Sequence, residues 1–271
     1  MTRALKGRAT KALVLAAGRG TRMRAGRSDA HLTPAQAAAA DRGVKGMIPV
    51  GRPFLDHVLH SLAEAGFTDI GLVIAPHHAD VRTYYTGIEL SRIQITFITQ
   101  LEPLGTADAV LAAETWVAGE PFITLNSDNL YPVDVLSALR DAGGPAVPGF
   151  ERDALALPLD RIGAYALIEC DARNCLSRIG EKPGRAAVEA AGADALISMN
   201  VWRFDARIFG ACRDVAVSSR GEQELPQAVG LAASRGVCFE VMPVRGEVLD
   251  LSQRADIAHV AQRLEGAVVK L

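Results

Sequence analysis

The residues that most directly imply chemistry are Gly18-Arg19-Gly20-Thr21-Arg22. Two glycines one residue apart let successive backbone N–H groups converge on an anion, and Thr21 and Arg22 add a hydroxyl and a planar five-donor cation. Such a loop suits phosphate. It is not a Walker A loop, which ends in Gly-Lys-Ser/Thr, nor a dinucleotide fingerprint, because Met23 stands where the third glycine belongs. The second chemical group is Asp128, in Asn126-Ser127-Asp128-Asn129. It follows the largely apolar run 122–125, and a carboxylate leaving the carboxyl end of a buried strand suits a hard cation such as Mg2+.

These groups need elements to hold them. Residues 12–17 have the length and bulk of a buried strand that opens into the glycine loop. Apolar residues at helical spacing follow over 53–67, then a strand at 70–75, a polar helix through Tyr85 and a strand at 93–99. This alternation specifies parallel strands with helical crossovers, which collect ligands at the carboxyl ends of the strands. After Gln100, a turn reaches Gly105 and a helix starts at Thr106, again facing a strand end. Thr33 as N-cap, Pro34 and an alanine run predict a short helix within 32–41. The second half reads as strands at 163–169 and 176–183 with a turn over 171–174, and as a run at 197–204 in which Trp202 and Phe204 are core residues alternating with polar Arg203. An apolar helix through Ala233, a strand at 237–244 and a last helix capped by Ser252 complete the chain. His77 and His78 point in different directions and read as solvated loop residues.

Bulk properties exclude several functions. With 29 basic and 31 acidic residues in 271, the formal net charge is −2, which does not suggest a nucleic-acid binder. No stretch approaches the roughly 18 apolar residues of a membrane span. The basic residues Arg3, Lys6, Arg8 and Lys11 precede an apolar run too short for a signal peptide. Cys170, Cys175, Cys212 and Cys238 lack paired Cys-x-x-Cys spacing, so neither a zinc knuckle nor a redox motif is indicated and a cytoplasmic location is expected.

Taken in order, Leu15-Ala16-Ala17-Gly18-x-Gly20-Thr21-Arg22-Met23, Lys45 with Ile48-Pro49, Gln100 with Gly105-Thr106-Ala107-Asp108, Asp128, and Glu181-Lys182-Pro183 resemble the signatures of the sugar-phosphate nucleotidyltransferases. These are the nucleotide-sugar pyrophosphorylases, such as the glucose-1-phosphate uridylyl-, thymidylyl- and adenylyltransferases. The resemblance implies one α/β domain over 1–271, a Rossmann-like three-layer, GT-A-like fold with a mostly parallel mixed sheet. Within it a nucleotide-binding half spans about 1–145, a sugar-phosphate-binding half about 146–250, and a C-terminal helix about 251–271. It also implies Mg2+-dependent transfer of a nucleotidyl group from a nucleoside triphosphate to a sugar 1-phosphate.

By the same resemblance, nucleotide contacts fall to Leu15, Ala16, Ala17, Gly18, Gly20, Thr21, Arg22, Gln100, Gly105 and Thr106. Sugar-phosphate contacts fall to Gly163, Glu181, Lys182, Ser198 and Asn200. Arg22, Lys45, Asp128 and Lys182 are the catalytic candidates, and Asp128 with Asp250 the metal ligands. The chain departs from the family pattern at Arg52, where many members have lysine, and at Ser127 and Asn200, where they have glycine. It also has extra residues over 24–44. These departures keep open a non-catalytic nucleotide-sugar sensor. A sugar-transferring enzyme of related fold would want Asp-x-Asp, and 126–129 supplies one carboxylate. The nucleobase, the sugar and a homo-oligomeric state are left open.

Overall fold

The computed structural model describes residues 7–25 and 32–271. Arg3, Lys6 and positions 26–31 of the extra segment lie outside the described residues. The frame is a ten-stranded sheet. Its strands are β1 (Lys11–Leu15), β2 (Asp69–Ile74), β3 (Gln94–Thr99), β4 (Phe122–Asn126), β5 (Ala146–Glu151), β6 (Ala166–Cys170), β7 (Leu176–Glu181), β8 (Leu196–Ser198), β9 (Val201–Phe204) and β10 (Glu240–Val244). Their spatial order is β7-β6-β8-β5-β9-β4-β1-β2-β3, with β10 beside β5. The half from β4 to β3 is parallel throughout, whereas β6 to β9 join it with antiparallel pairings.

The continuous apolar run of β1 has a physical reason: both faces of the sheet are covered. Ala12 and Val14 enter one hydrophobic cluster, Leu13 and Leu15 the other. Full burial of a side chain such as Leu13 contributes about 1.5–3 kcal/mol. A glycine at 71 is required beneath this layer, since a Cβ would meet Leu13 and Trp116 within 2.9 Å.

Strand register decides what meets at the rim. Leu15 lies opposite Val73 on one side and Asn126 on the other, so the glycine loop, the end of β2 and the Asp128 turn leave the sheet together. The Gln100 N–H donates to Ile74 O at 3.0 Å, aligning the next strand end with them. From the antiparallel half, Ala166 faces both Glu181 and Ser198, and Val201 faces Leu125, which brings Tyr165, Glu181 and Asn200 to the same rim. A two-stranded ribbon then pairs Asp250 with Asn129, and the Leu251 N–H donates to Asp128 O at 2.8 Å.

Several expectations are corrected. The run 197–204 is two strands, because Asn200 turns left-handed (φ 62°) between β8 and β9. Arg203 is polar in type but only 2% exposed. Its guanidinium donates to the backbone oxygens of Leu139, Arg140 and Gly7, which is what lets a cation lie in a core. His78 is buried, not solvated; its Nδ1 accepts the Ala75 N–H at 3.4 Å, and burial, with the neighbouring His77, holds its pKa down. The last helix starts at Asp256, so Ser252 does not cap it and instead donates to Asp250. Cys175 and Cys238 form a disulfide across 63 positions, which their spacing did not signal. Among the described residues no helix is long and apolar enough to cross a membrane.

Candidate active site

One cavity of about 710 Å³ opens at the rim where these strand ends meet. The loop after β1 forms its floor. Among the described residues, no partner accepts from the N–H groups of Gly18, Arg19 or Gly20. Gly20 has φ 60°, and a Cβ there would sit 2.0 Å from Gly43 O. Only glycine allows both the left-handed turn and the close approach of residue 43. That approach is made by the extra segment. Its helix Pro34–Arg42 carries the predicted Thr33 cap as a full capping box with Gln36, and ends at left-handed Gly43, which also lines the cavity.

Lys45 follows directly. Its Nζ lies 2.7 Å from Asp128 Oδ2, both side chains being largely buried. The other Asp128 oxygen has no protein partner among the described residues. Ser127 adopts an ordinary negative φ, so no left-handed backbone demands glycine there. Arg52, by contrast, points away from this cavity, and its Nε is bonded to Asp56 at 2.8 Å.

On another wall of the cavity, Gln100 Nε2 donates to Gly105 O at 2.9 Å and to Asp108 Oδ2 at 2.7 Å. Both partners accept only, so they fix the amide orientation and leave Oε1 as an acceptor toward the cavity. Gly105 has φ 123°, and a Cβ would strike the Gln223 backbone at 2.3 Å. Thr106 Oγ1 is spent on the Leu225 N–H at 2.9 Å. The start of the helix at Thr106 is thereby tied to the 220–226 segment.

That segment was missed in the sequence. Arg220, Glu222 and Glu224 line the cavity, with Arg220 and Glu224 paired at 2.6 Å. A charge-dense stretch directly before an apolar helix was the available signal. Glu181 faces them; burial, and then the like charge of Glu224, pushes its carboxyl above the usual range. Lys182 lines the cavity in a left-handed conformation (φ 46°), the kind of backbone strain that persists at functional positions. Asn200 lines it too, and of non-glycine residues asparagine best tolerates the φ found there.

Two predicted sugar contacts lie behind the wall. Gly163 allows backbone to approach backbone: a Cβ would meet Gly184 C at 2.7 Å. Ser198 is fully buried and its Oγ has no partner.

Asp250 reaches the cavity beside Asp128, and both carboxylates raise the pKa of Tyr131 and of Tyr165 after burial has done so. Asp250 is held by Asn129 Nδ2 at 3.3 Å and Ser252 Oγ on Oδ1 and by Arg161 on Oδ2, and the Tyr165 hydroxyl is bonded to it as well. Arg161, also missed in the sequence, bridges onward to Asp256 at 2.7 Å. Its position two residues before Gly163 carried no recognisable pattern.

Comparison with known proteins decides the family. The model described as "Nucleotidyl transferase" matches residues 11–243. This chain belongs to the nucleotidyl transferase family. The nucleotidyltransferase is 30% identical over 270 residues to a glucose-1-phosphate thymidylyltransferase of Streptomyces antibioticus, covering 95% of this chain and 69% of the relative. It is 27% identical over 259 residues to the UTP–glucose-1-phosphate uridylyltransferase AglF of Haloferax volcanii, covering 94% and 96%. Its fold matches a crystal structure of UDP-glucose pyrophosphorylase complexed with UDP-glucose at a TM-score of 0.74 with 17% identity, covering 95% of this chain and 98% of that one.

Proposed function

We propose that this nucleotidyltransferase transfers a nucleotidyl group from a nucleoside triphosphate to a sugar 1-phosphate, releasing pyrophosphate. The observation that carries the reading is the single cavity lined at once by the Gly18–Gly20 loop, Asp128, Lys182 and Asp250. Both curated relatives bear names that specify glucose 1-phosphate, which supports a hexose 1-phosphate acceptor. The work would be done by one domain, with the triphosphate in the half through residue 145 and the sugar phosphate in the half beyond it.

In this reading a phosphate oxygen of the sugar 1-phosphate attacks the α-phosphorus in line. The new P–O bond replaces the bond to the β-phosphate, and pyrophosphate leaves. The attacking group is already anionic, so the chain need supply no general base. Its task is to bring two polyanions together. Amides of the glycine loop with Arg22 hold the triphosphate, Lys45 stands between loop and Asp128, and Lys182 receives the sugar phosphate. Gln100 presents one acceptor to the base, and Glu181 takes sugar hydroxyls. Alignment of this kind can contribute up to about 7–11 kcal/mol of the barrier.

Asp128, with one oxygen free toward the cavity, fits a cation that prefers few carboxylates and completes its shell with phosphate and water. Asp250 is the second ligand in this proposal. Bound there, Mg2+ would neutralise phosphate charge and polarise the reacting phosphorus. The test is pyrophosphate release from a panel of four nucleoside triphosphates against several sugar 1-phosphates with Mg2+. Release with at least one pair is expected. Ligand-induced thermal stabilisation without release from any pair would replace the enzyme with a sensor.

A further inference from the structure

Asp250 and Asp128 face the same cavity but differ in access. The Asp128 side chain is 15% exposed and has an oxygen free; the Asp250 side chain is 2% exposed and has both oxygens engaged. Arg161, 23% exposed, lines the cavity wall beside Asp250 and holds its carboxylate. Its Nη2 holds Asp250 Oδ2, while Nη1 reaches Asp256 Oδ1 at 2.7 Å and Nη2 reaches Asp256 Oδ2 at 3.2 Å. Asp256 therefore already offers Arg161 a two-oxygen partner in fork geometry.

From this we infer that Arg161 is a displaceable stand-in for the divalent cation at Asp250, retained by Asp256 when it lets go. The inference rests on the metal reading above. Its consequence is order of binding. A cation alone must evict a partly exposed guanidinium from a buried, hydrogen-bonded carboxylate, and removing one partner from such a pair is costly. A cation arriving with substrate phosphate brings its own anions for Arg161 and Lys45 to meet. Asp250 is thus closed to metal until substrate is present, which keeps the site from holding cation unproductively. The short helix Leu159–Ile162 that carries Arg161 is followed by Gly163, whose oxygen accepts the Gly184 N–H at 3.1 Å beside Lys182, so release of Arg161 is linked mechanically to the sugar-phosphate side.

The experiment is Mn2+ affinity, read by electron paramagnetic resonance without substrate, in the wild type, Arg161→Gln and Asp250→Asn. Binding to the wild type alone should be weak, and Arg161→Gln should tighten it on the order of 10-fold or more, the scale of changes in groups that contact metal ligands. Equal affinity in the wild type and Arg161→Gln, both weakened by Asp250→Asn, overturns the stand-in and leaves the metal reading intact. No Mn2+ binding by either protein, with or without nucleoside triphosphate, overturns the metal reading itself. Arg161→Lys, which keeps the charge but not the fork, guards against a folding defect. It should fall between the other two in affinity, and affinity unchanged from wild type in a folded Arg161→Lys counts against the proposal.

Discussion

Asn200 shows how a single residue can satisfy a backbone demand. Its φ of 62° is a region that glycine occupies freely, asparagine with modest cost, and β-branched residues hardly at all. Asn200→Gly should leave the midpoint of urea unfolding almost unchanged, while Asn200→Val should lower stability by about 1–2 kcal/mol. Equal midpoints for the two variants would show that the turn between β8 and β9 does not need a left-handed residue. Glu181 makes a different demand. Its carboxyl is raised by burial and by Glu224, so the folded chain binds that proton more tightly than the unfolded one. Its stabilising share is complete below the ordinary carboxylate pKa of 4.5 and is lost as pH rises through the higher folded value. Glu181→Gln should flatten the stability–pH curve over that window, as read by unfolding at a series of pH values. An unchanged slope would remove Glu181 as its source.

At the scale of elements, the extra helix Pro34–Arg42 is a brace. Gln36 Nε2 donates to Pro49 O at 3.0 Å, Asp41 pairs with Arg254 at 2.9 Å, and Gly43 rests on Gly20, so the helix joins the glycine loop to the segment after Asp250. The Cys175–Cys238 bond is a second tie, clamping the start of β7 to the approach of β10. Closing a loop of 63 positions contributes roughly 4 kcal/mol in the chain-entropy account. Dithiothreitol should lower the melting temperature of the wild type and leave that of Cys175→Ser unaffected; equal sensitivity in both would deny the bond a stabilising role. The strands of the parallel half and the Thr33 cap were legible because local pattern alone determines them: a continuous apolar run, a hydroxyl, a proline. The place of Asp128 at a strand end, on the cavity wall, was legible from the apolar run before it. Arg161 and the disulfide were not, because each acts through partners 63 to 95 positions away, and Arg220 was not, because it lies in a segment with no period. Gly163 and Ser198 do not line the cavity, since a motif does not say whether a residue faces the ligand or the packing behind it.

Across the whole molecule, charge in the cavity is balanced in advance. Arg19, Arg22, Lys45, Arg161, Lys182 and Arg220 face Asp128, Asp160, Glu181, Glu222, Glu224 and Asp250. Three of these cations are tied to carboxylates of the same wall: Lys45 to Asp128, Arg161 to Asp250 and Arg220 to Glu224. A triphosphate entering alone must therefore compete with the protein's own anions for Lys45. With a cation to occupy the carboxylates, phosphate and guanidinium or ammonium can pair without leaving a buried charge alone. The two effects of removing one carboxylate then have opposite signs. Asp128→Asn frees Lys45 and should bind nucleoside triphosphate several-fold more tightly than the wild type in the presence of EDTA, measured by calorimetry, while its turnover with Mg2+ disappears and its melting temperature falls because Lys45 loses its charged partner. Weaker binding in EDTA would mean that Asp128 positions Lys45 for the phosphates rather than withholding it, and near-normal turnover in the folded variant would discard Asp128 as a metal ligand.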